Sequence, residues 1–428
     1  MKREIPLIKF LIILLDFFLF LLALGLTLFL RFSFNFIPYF QGHFLPFFFL
    51  FFFYLLFLFA FNLYDFYFLT LKILFQKIIS FAFSIFLFSI IYFYFGQTIF
   101  EISPKTNLFL FVLSFVFLLY LSRFLLLKFF QRRKIEVYFL GEENLKNKIE
   151  KDLQNHPFFS FKGFFDFKIL ESSNFQNKIL IVSPNYQLKL KEFKLVLNSE
   201  ITTFDFVDFY EKFLDRIPLE AINQNWLLRQ TLSFQGKIYL YFKRLIDIFL
   251  AIFIFIFLFL PLLLPISLLI YLSDPGPIFF KNLRVGYKRK IFTLIKFRTM
   301  KEIKKQEENW AVGKEEKRIF LFGKFLRLTH LDELPQIFNL LKGEITLVGP
   351  RPEQPKIFSD LEKNIPFYEL RILAPPGITG WAQVNYKYPE NIEETKIKLE
   401  YDLYYLKNAN LFLDFLIIIK TIQKLLTF

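Results

Sequence analysis

The first third of the chain is built from long apolar stretches. Residues 5–30, 44–63, 73–95 and 108–127 carry Lys9, Asp16, Lys77 and Arg123 as their only full charges. As helices, each is long enough to cross about 30 Å of hydrocarbon. Burying four such helices in a soluble core would need an improbably large domain. The first stretch is too long for a cleaved leader, and three more follow it. From residue 135 the pattern changes. Short apolar runs at 135–140, 178–182 and 200–206 are predicted strands, and 145–153 is a predicted amphipathic helix. This alternation implies a small α/β domain with a parallel sheet. Gly141 could open a nucleotide-binding turn, but Gly141-Glu142-Glu143-Asn144 lacks the later glycines of a dinucleotide fingerprint. Two carboxylates there would also repel a pyrophosphate. The domain is therefore expected to hold no cofactor.

A fifth uncharged run covers residues 248–273. Pro261 and Pro265 lie near its middle, where each removes a backbone donor. Lys243 and Arg244 precede it, and Lys281, Arg284, Lys288, Arg289 and Lys290 follow. A straight crossing would put one of these clusters on the wrong side of the membrane. A bent segment that enters and leaves through one leaflet satisfies both. The pattern alone leaves a Pro-kinked crossing equally open.

Composition supports this class. The 428 residues allow two or three domains. Hydrophobic residues reach 55%, 69 of them Phe, while charged residues are 21%. The apolar share is above that of an ordinary soluble domain, which also excludes a disordered or collagen-like chain. Lys and Arg number 53 against 38 Asp and Glu, a net charge of +15. Beside this much Phe and Leu, that surplus points to a cytoplasmic membrane face rather than nucleic acid. The heaviest basic clusters are Lys2, Arg3 and Lys9, and then Arg123, Lys128, Arg132, Arg133 and Lys134. Both ends of the four-span region therefore belong inside. Cysteine is absent, which removes disulfides, thiolate metal sites and a Cys nucleophile. His43, His156 and His330 are too scattered for a zinc cluster.

Residues 274–385 are rich in turns and charges. Asp332-Glu333 is the sharpest word among them. Leu331, Leu334, Ile337, Phe338 and Leu341 recur at helical spacing, so the pair is predicted to open an amphipathic helix with Pro335 in its first turn. The helix end would keep Asp332 ionised. An ionised carboxylate can attack phosphorus, and its neighbour can hold Mg²⁺, which favours oxygen ligands. An Asp N-cap followed by a first-turn Glu reads the same letters without chemistry, and from the helix alone it is the commoner case.

Seven words then shift the weights: Lys243-Arg244-Leu245-Ile246-Asp247, Asp274-Pro275-Gly276-Pro277-Ile278-Phe279-Phe280, Lys296-Phe297-Arg298-Thr299-Met300, Leu331-Asp332-Glu333-Leu334-Pro335-Gln336, Leu347-Val348-Gly349-Pro350-Arg351-Pro352, Pro376-Gly377-Ile378-Thr379-Gly380-Trp381-Ala382-Gln383-Val384-Asn385 and Tyr401-Asp402-Leu403-Tyr404-Tyr405. In this order they resemble the bacterial sugar transferase family of polyprenyl-phosphate sugar-1-phosphate transferases. The N-terminal half is similar to the family's long members, with Gly163-Phe164-Phe165-Asp166, Tyr210-Glu211-Lys212-Phe213 and Arg216-Ile217-Pro218-Leu219-Glu220 echoing their Rossmann-like domain.

The resemblance implies a membrane protein in three parts. Residues 1–134 would form a bundle of four transmembrane helices. Residues 135–235 would form a Rossmann-like α/β domain. Residues 236–428 would form a monotopic α/β catalytic domain with a re-entrant helix at 248–273. The implied activity is transfer of a sugar-1-phosphate from a UDP-sugar to undecaprenyl phosphate, with release of UMP, at the cytoplasmic face of the bacterial inner membrane. Asp332 would be the nucleophile that forms a covalent phosphosugar, and Glu333 its partner at Mg²⁺, with Asp332 also beside the metal. Lys296, Arg298, Arg327 and Arg351 would contact phosphate, and Asp402 and Asp414 match C-terminal acidic positions grouped with them at the substrate. The implied partners are the UDP-sugar, undecaprenyl phosphate and the bilayer; a homodimer is compatible, nucleic acid is not. Leu260-Pro261 replaces the family's usual Ser-Pro at the bend, and Tyr386-Lys387-Tyr388 replaces the Gly-Arg of many relatives, so the sugar stays unassigned. Every matched catalytic word lies after Tyr241, so residues 1–235 are expected to be dispensable for chemistry.

Other classes fit less well. A nucleotide-sugar dehydratase or epimerase would need the missing glycines. A transporter or scaffold would need more inward polar groups than Asp16, Asn62 and Lys77 supply. A many-span lipid-phosphate transferase would place its acids between membrane helices, whereas Asp332-Glu333 lies in a polar stretch.

Overall fold

The computed structural model describes residues 4–61, 63–64, 71–100, 105–130, 134–154, 156, 159–167, 178–199, 201–222, 236–301 and 318–426. The chain forms two compact units, one ending at Phe209 and the other Tyr210–Leu425.

The first unit opens with four apolar helices: α1 (Glu4–Phe32), α2 (Ile37–Ala60), α3 (Leu71–Phe100) and α4 (Lys105–Phe130). Each contains a segment long and apolar enough to cross a membrane. Their exposed sides are Phe, Leu and Ile, as expected where lipid rather than water is the solvent. The lone charges of α1 and α4 meet inside. Arg123 donates to Asp16 at 2.6 Å and to the Leu63 carbonyl at 3.0 Å, with both side chains fully buried. A buried ion of either sign would be costly alone, and the pair cancels most of that cost.

The α/β part carries a four-stranded parallel sheet in the order β2-β1-β3-β4. The strands are β1 (Ile135–Leu140), β2 (Phe159–Phe164), β3 (Lys178–Val182) and β4 (Thr202–Asp205), with α5 (Glu143–Leu153), α6 (Leu190–Asn198) and α7 (Phe206–Phe213) between and after them. The near-continuous apolar runs of β1 and β3 are the central strands, covered on both faces. β2 escapes the pattern because its polar Ser160 and Lys162 sit on an edge strand. Gly141 has φ +153°, and a Cβ there would lie 2.3 Å from Ser183 Cβ. The ends of β1 and β3 thus close on each other, and Glu142 accepts a hydrogen bond from Ser183 across the gap.

The second unit holds the fifth apolar segment. α8 (Lys237–Ile254) passes through a π-helical turn at Phe255–Phe259 into α9 (Leu260–Ser273). Pro261 sits in the first turn of α9, where its missing N–H is tolerated. The hairpin β5 (Phe279–Val285) and β6 (Ile291–Phe297) follows. Then come α10 (Leu321–Leu328), a 3₁₀ turn at Leu331–Gln336, α11 (Ile337–Lys342), β7 (Thr346–Val348), α12 (Pro355–Asn364), β8 (Gly377–Thr379), α13 (Trp381–Asn385), α14 (Ile392–Asn408) and α15 (Leu411–Leu426). Phe259, Ile266 and Ile270 of the apolar segment share one core with Phe297, Leu326, Ile337 and Leu340.

The boundary expected at 235 lies outside the described residues, and so do Lys2, Arg3, Asn62, Arg132 and Arg133. The contacts group the residues from Tyr210 onward with the C-terminal unit. Arg216 pairs with the fully buried Glu400 at 3.2 Å, and Trp381 Nε1 donates to the Asp215 carbonyl at 3.0 Å. Residues 210–222 therefore help complete that unit, although no matched catalytic word falls there.

Candidate active site

Three elements converge on Asp332 and Glu333. Both residues lie in the 3₁₀ turn, which leads into the six-residue α11. A full amphipathic helix was expected from 331. The tighter turn forms because His330 enters at φ +54° and Pro335 cannot donate to a helical ladder. His330 occupies the position before the turn, and no side-chain cap bond is made there. Asn339, fully buried on α11, locks this element to β6: it accepts from the Ile295 N–H at 3.1 Å and donates to the Thr293 carbonyl at 2.7 Å.

That lock brings Lys296 to the acids. Its Nζ donates to Glu333 Oε1 at 2.6 Å. Arg351 arrives from the turn after β7 and donates to the same oxygen at 2.9 Å. The turn is held backbone to backbone: Gly377 N–H donates to the Pro350 carbonyl at 3.0 Å, and a Cβ on Gly377 would lie 2.0 Å from Gly349 N. No larger residue fits that crossing.

The two acids have opposite electrostatics. Burial alone would raise the Glu333 pKa, but Arg351 and Lys296 outweigh it and hold the carboxyl at about 2. Burial pushes the Asp332 pKa up, with Lys296 pulling against it and Glu333 adding to it. Desolvation, which disfavours charge, thus acts against the helix end expected to keep Asp332 ionised. Asp332 is 9% exposed and makes no hydrogen bond or ion pair among the described residues. Glu333 is a fixed anion, while Asp332 is a partly desolvated carboxylate without a capping partner.

The remaining expected site residues divide. Arg327 donates through Nε to Thr299 at 2.9 Å and lies within electrostatic reach of Asp332. Both terminal nitrogens of Arg298 bind Asp274, at the turn that leaves α9. Asp402 and Asp414 are held by cations of their own. Asp402 accepts from Arg371 at 2.8 Å, and Asp414 accepts from Lys243 at 2.6 Å and Tyr405 at 2.8 Å. Both acids are buried, where a carboxylate is stable only when so paired.

Arg371 is a participant that no sequence word announced. Besides Asp402 it donates to the Arg351 carbonyl at 2.9 Å and to Tyr368 at 2.6 Å. Burial would raise the pKa of Glu353, but Lys398 and Arg371 bring it to about 2. This buried set of charges supports the Arg351 turn from beneath. Its only sequence trace was an Arg inside the apolar run Leu370-Arg371-Ile372-Leu373, with nothing to name a partner 31 residues away.

No group of three acidic, His or Cys side chains converges on a metal position among the described residues. Mg²⁺ does not require one, since it takes one or two carboxylates and completes its shell with water and substrate phosphate. Both cations of Glu333 bind Oε1. Oε2 and the Asp332 carboxylate therefore suit such an ion.

Residues 238–428 match the bacterial sugar transferase family. The chain is 39% identical over 229 residues to the UDP-N-acetylgalactosamine-undecaprenyl-phosphate N-acetylgalactosaminephosphotransferase of Aeromonas hydrophila, covering 54% of this chain and 53% of that protein. It is 41% identical over 160 residues to the UDP-glucose:undecaprenyl-phosphate glucose-1-phosphate transferase of Xanthomonas campestris, covering 37% of this chain and 33% of the relative. The chain thus spans about half, or less, of these two relatives. It is also 37% identical over 187 residues to a sugar transferase of Bacillus subtilis, covering 43% of this chain but 87% of that protein. Near-complete coverage of that relative, together with the family match over residues 238–428 that include Asp332, Glu333 and Arg351, places this membrane-bound chain in the bacterial sugar transferase family.

Proposed function

We propose that the chain transfers a sugar-1-phosphate from a UDP-sugar to undecaprenyl phosphate in two displacements on Asp332. One observation carries this reading: a buried carboxylate with no hydrogen-bond partner among the described residues stands beside a second carboxylate that two cations keep ionised. An Asp serving only as a cap would occupy the N-cap position, and that position belongs to His330, two residues earlier.

In the first displacement an Asp332 oxygen attacks the sugar-linked phosphorus. The bond to the bridging oxygen breaks, and UMP leaves with the electron pair. In the second, a phosphate oxygen of the lipid attacks the acyl phosphate, and the Asp332 carboxylate is released. Lys296 and Arg351 hold Glu333 in place and add positive charge where phosphate oxygens gather. Mg²⁺, if held by Asp332 and Glu333 Oε2, would neutralise the diphosphate. The relatives' printed substrates support the choice of UDP-sugar and undecaprenyl phosphate. The test is UMP release by the purified chain with undecaprenyl phosphate, Mg²⁺ and a panel of UDP-sugars. Release with one sugar is expected, and none with any sugar would end the proposal.

The same reading puts the site at the cytoplasmic membrane surface, with the α8–α9 segment re-entrant. As one straight helix, its 36 residues would run roughly 54 Å, well beyond the hydrocarbon core. Both of its ends bond within one unit. Arg244 donates to the Leu340 and Leu341 carbonyls at 2.6 and 2.7 Å, and Asp274 receives Arg298. Leu321, Phe325 and Leu328 form a further exposed apolar stripe on α10, which suits a membrane surface. Because the chain has no cysteine, single cysteines at the exposed positions Tyr241 and Lys281 report topology. Both should resist an impermeant thiol reagent in intact cells, and labelling of one alone would establish a crossing.

A further inference from the structure

Next to the Glu333 cluster is a shallow cleft, open to solvent, lined by Arg284, Leu294, Gln336, Arg351, Pro352 and Gly377. Residues directly opposite in an antiparallel pair share a face, and faces repeat every second residue. Arg284 opposes Phe292, so it lies on the same hairpin face as Leu294 and Lys296. The strand that delivers Lys296 to Glu333 therefore pairs with one that presents a second cation on the same face.

That cation is incompletely used. One terminal nitrogen of Arg284 donates to the Pro352 carbonyl at 3.1 Å. Its buried Nε has no partner among the described residues. Gln336 is 4% exposed, and its buried Nε2 likewise has none. Buried donors without acceptors are rare because each loses its water for nothing, so two in one pocket call for an absent acceptor. The lining holds two guanidiniums, one carboxamide and no acid. Planar guanidinium forks match phosphate oxygens.

The two-displacement reading, on which this inference rests, requires such a place. An attacking oxygen and its leaving group lie in line across phosphorus. UMP departs opposite Asp332, so the lipid phosphate must later attack from the position UMP left. We propose that Arg284, Gln336 and Arg351 form a phosphate-monoester subsite, occupied first by the phosphate of UMP and then by that of the lipid acceptor.

The test uses the full chain in nanodiscs, comparing wild type with Arg284→Gln, Arg284→Lys and Gln336→Leu. Arg284→Gln should weaken UMP product inhibition and raise the KM for undecaprenyl phosphate together, each by about tenfold or more, as expected for loss of a charged hydrogen-bond donor. Arg284→Lys should recover part of both, and Gln336→Leu should shift both by a smaller factor in a chain that keeps its charge. A change confined to the nucleotide or to the lipid would overturn shared use, and unchanged constants would overturn the subsite. Inorganic phosphate supplies a readout independent of turnover. It should raise the melting temperature of wild type and fail to raise that of Arg284→Gln. If wild type releases no UMP but phosphate still protects it in this way, the transfer reading fails and the anion subsite stands.

Discussion

Asp332→Asn is expected to reduce turnover by several orders of magnitude while leaving the chain folded and slightly more stable. The amide cannot attack phosphorus, so the covalent route is closed. Stability should move the other way. Burial raises the Asp332 pKa in the folded state above its unfolded value. Such a group favours the fold below the unfolded pKa, and that contribution is lost as pH rises through the folded pKa. At neutral pH the charged Asp332 is therefore a cost, and Asn removes it. An N-cap would behave differently, since Asn caps about as well as Asp and turnover would stay near normal. The wild-type pH profile checks the same point. Activity should fall as pH drops through a value above the ordinary Asp range, because only the ionised carboxylate attacks. Glu333, held at about 2, titrates too low to supply that limb. Supplying UDP-sugar without lipid should trap a phosphosugar on Asp332. Near-normal turnover in a folded Asp332→Asn chain would sink the covalent mechanism.

Arg216→Ala is expected to destabilise the C-terminal unit by about 3–5 kcal/mol, the usual cost of breaking a buried ion pair from one side. Glu400 is fully buried, and its carboxylate takes Arg216 at 3.2 Å and the Leu219 N–H at 3.3 Å. Removing the guanidinium strands that charge in a low-dielectric interior. Glu400→Gln added to Arg216→Ala should recover part of the loss, because a neutral amide is cheaper to bury. Urea unfolding of the full chain measures both. The same argument bears on a fragment starting at Gly236. Such a fragment would lose Arg216, the Asp215 carbonyl that receives Trp381, and Glu211, which binds Lys407 at 2.7 Å. It should be much less stable than a fragment starting at Phe206. Equal stability would show that residues 210–222 merely lie against the unit.

What could be read from the letters was local. Four apolar helices, the strands 135–140 and 178–182, and the words around Asp332 and Arg351 depend on periodicity, run length and turn residues, all of which act between near neighbours. Even the resemblance rests on short words in order. The tertiary structure decided what those words do to one another. It made Glu333 the meeting point of Lys296 and Arg351, 37 and 18 residues away. It paired Arg298 with Asp274 and Asp402 with Arg371, partners that no short word names. It turned the predicted helix at 331 into a 3₁₀ turn and replaced a dipole-stabilised Asp332 with a desolvated one. It also joined residues 210–222 to the catalytic unit through Glu400. For the ion pairs the deciding quantity was burial together with the identity of a distant partner. A carboxylate in water needs no such partner, a buried one such as Glu333 or Glu400 does, and that partner is not written in the residues next to it.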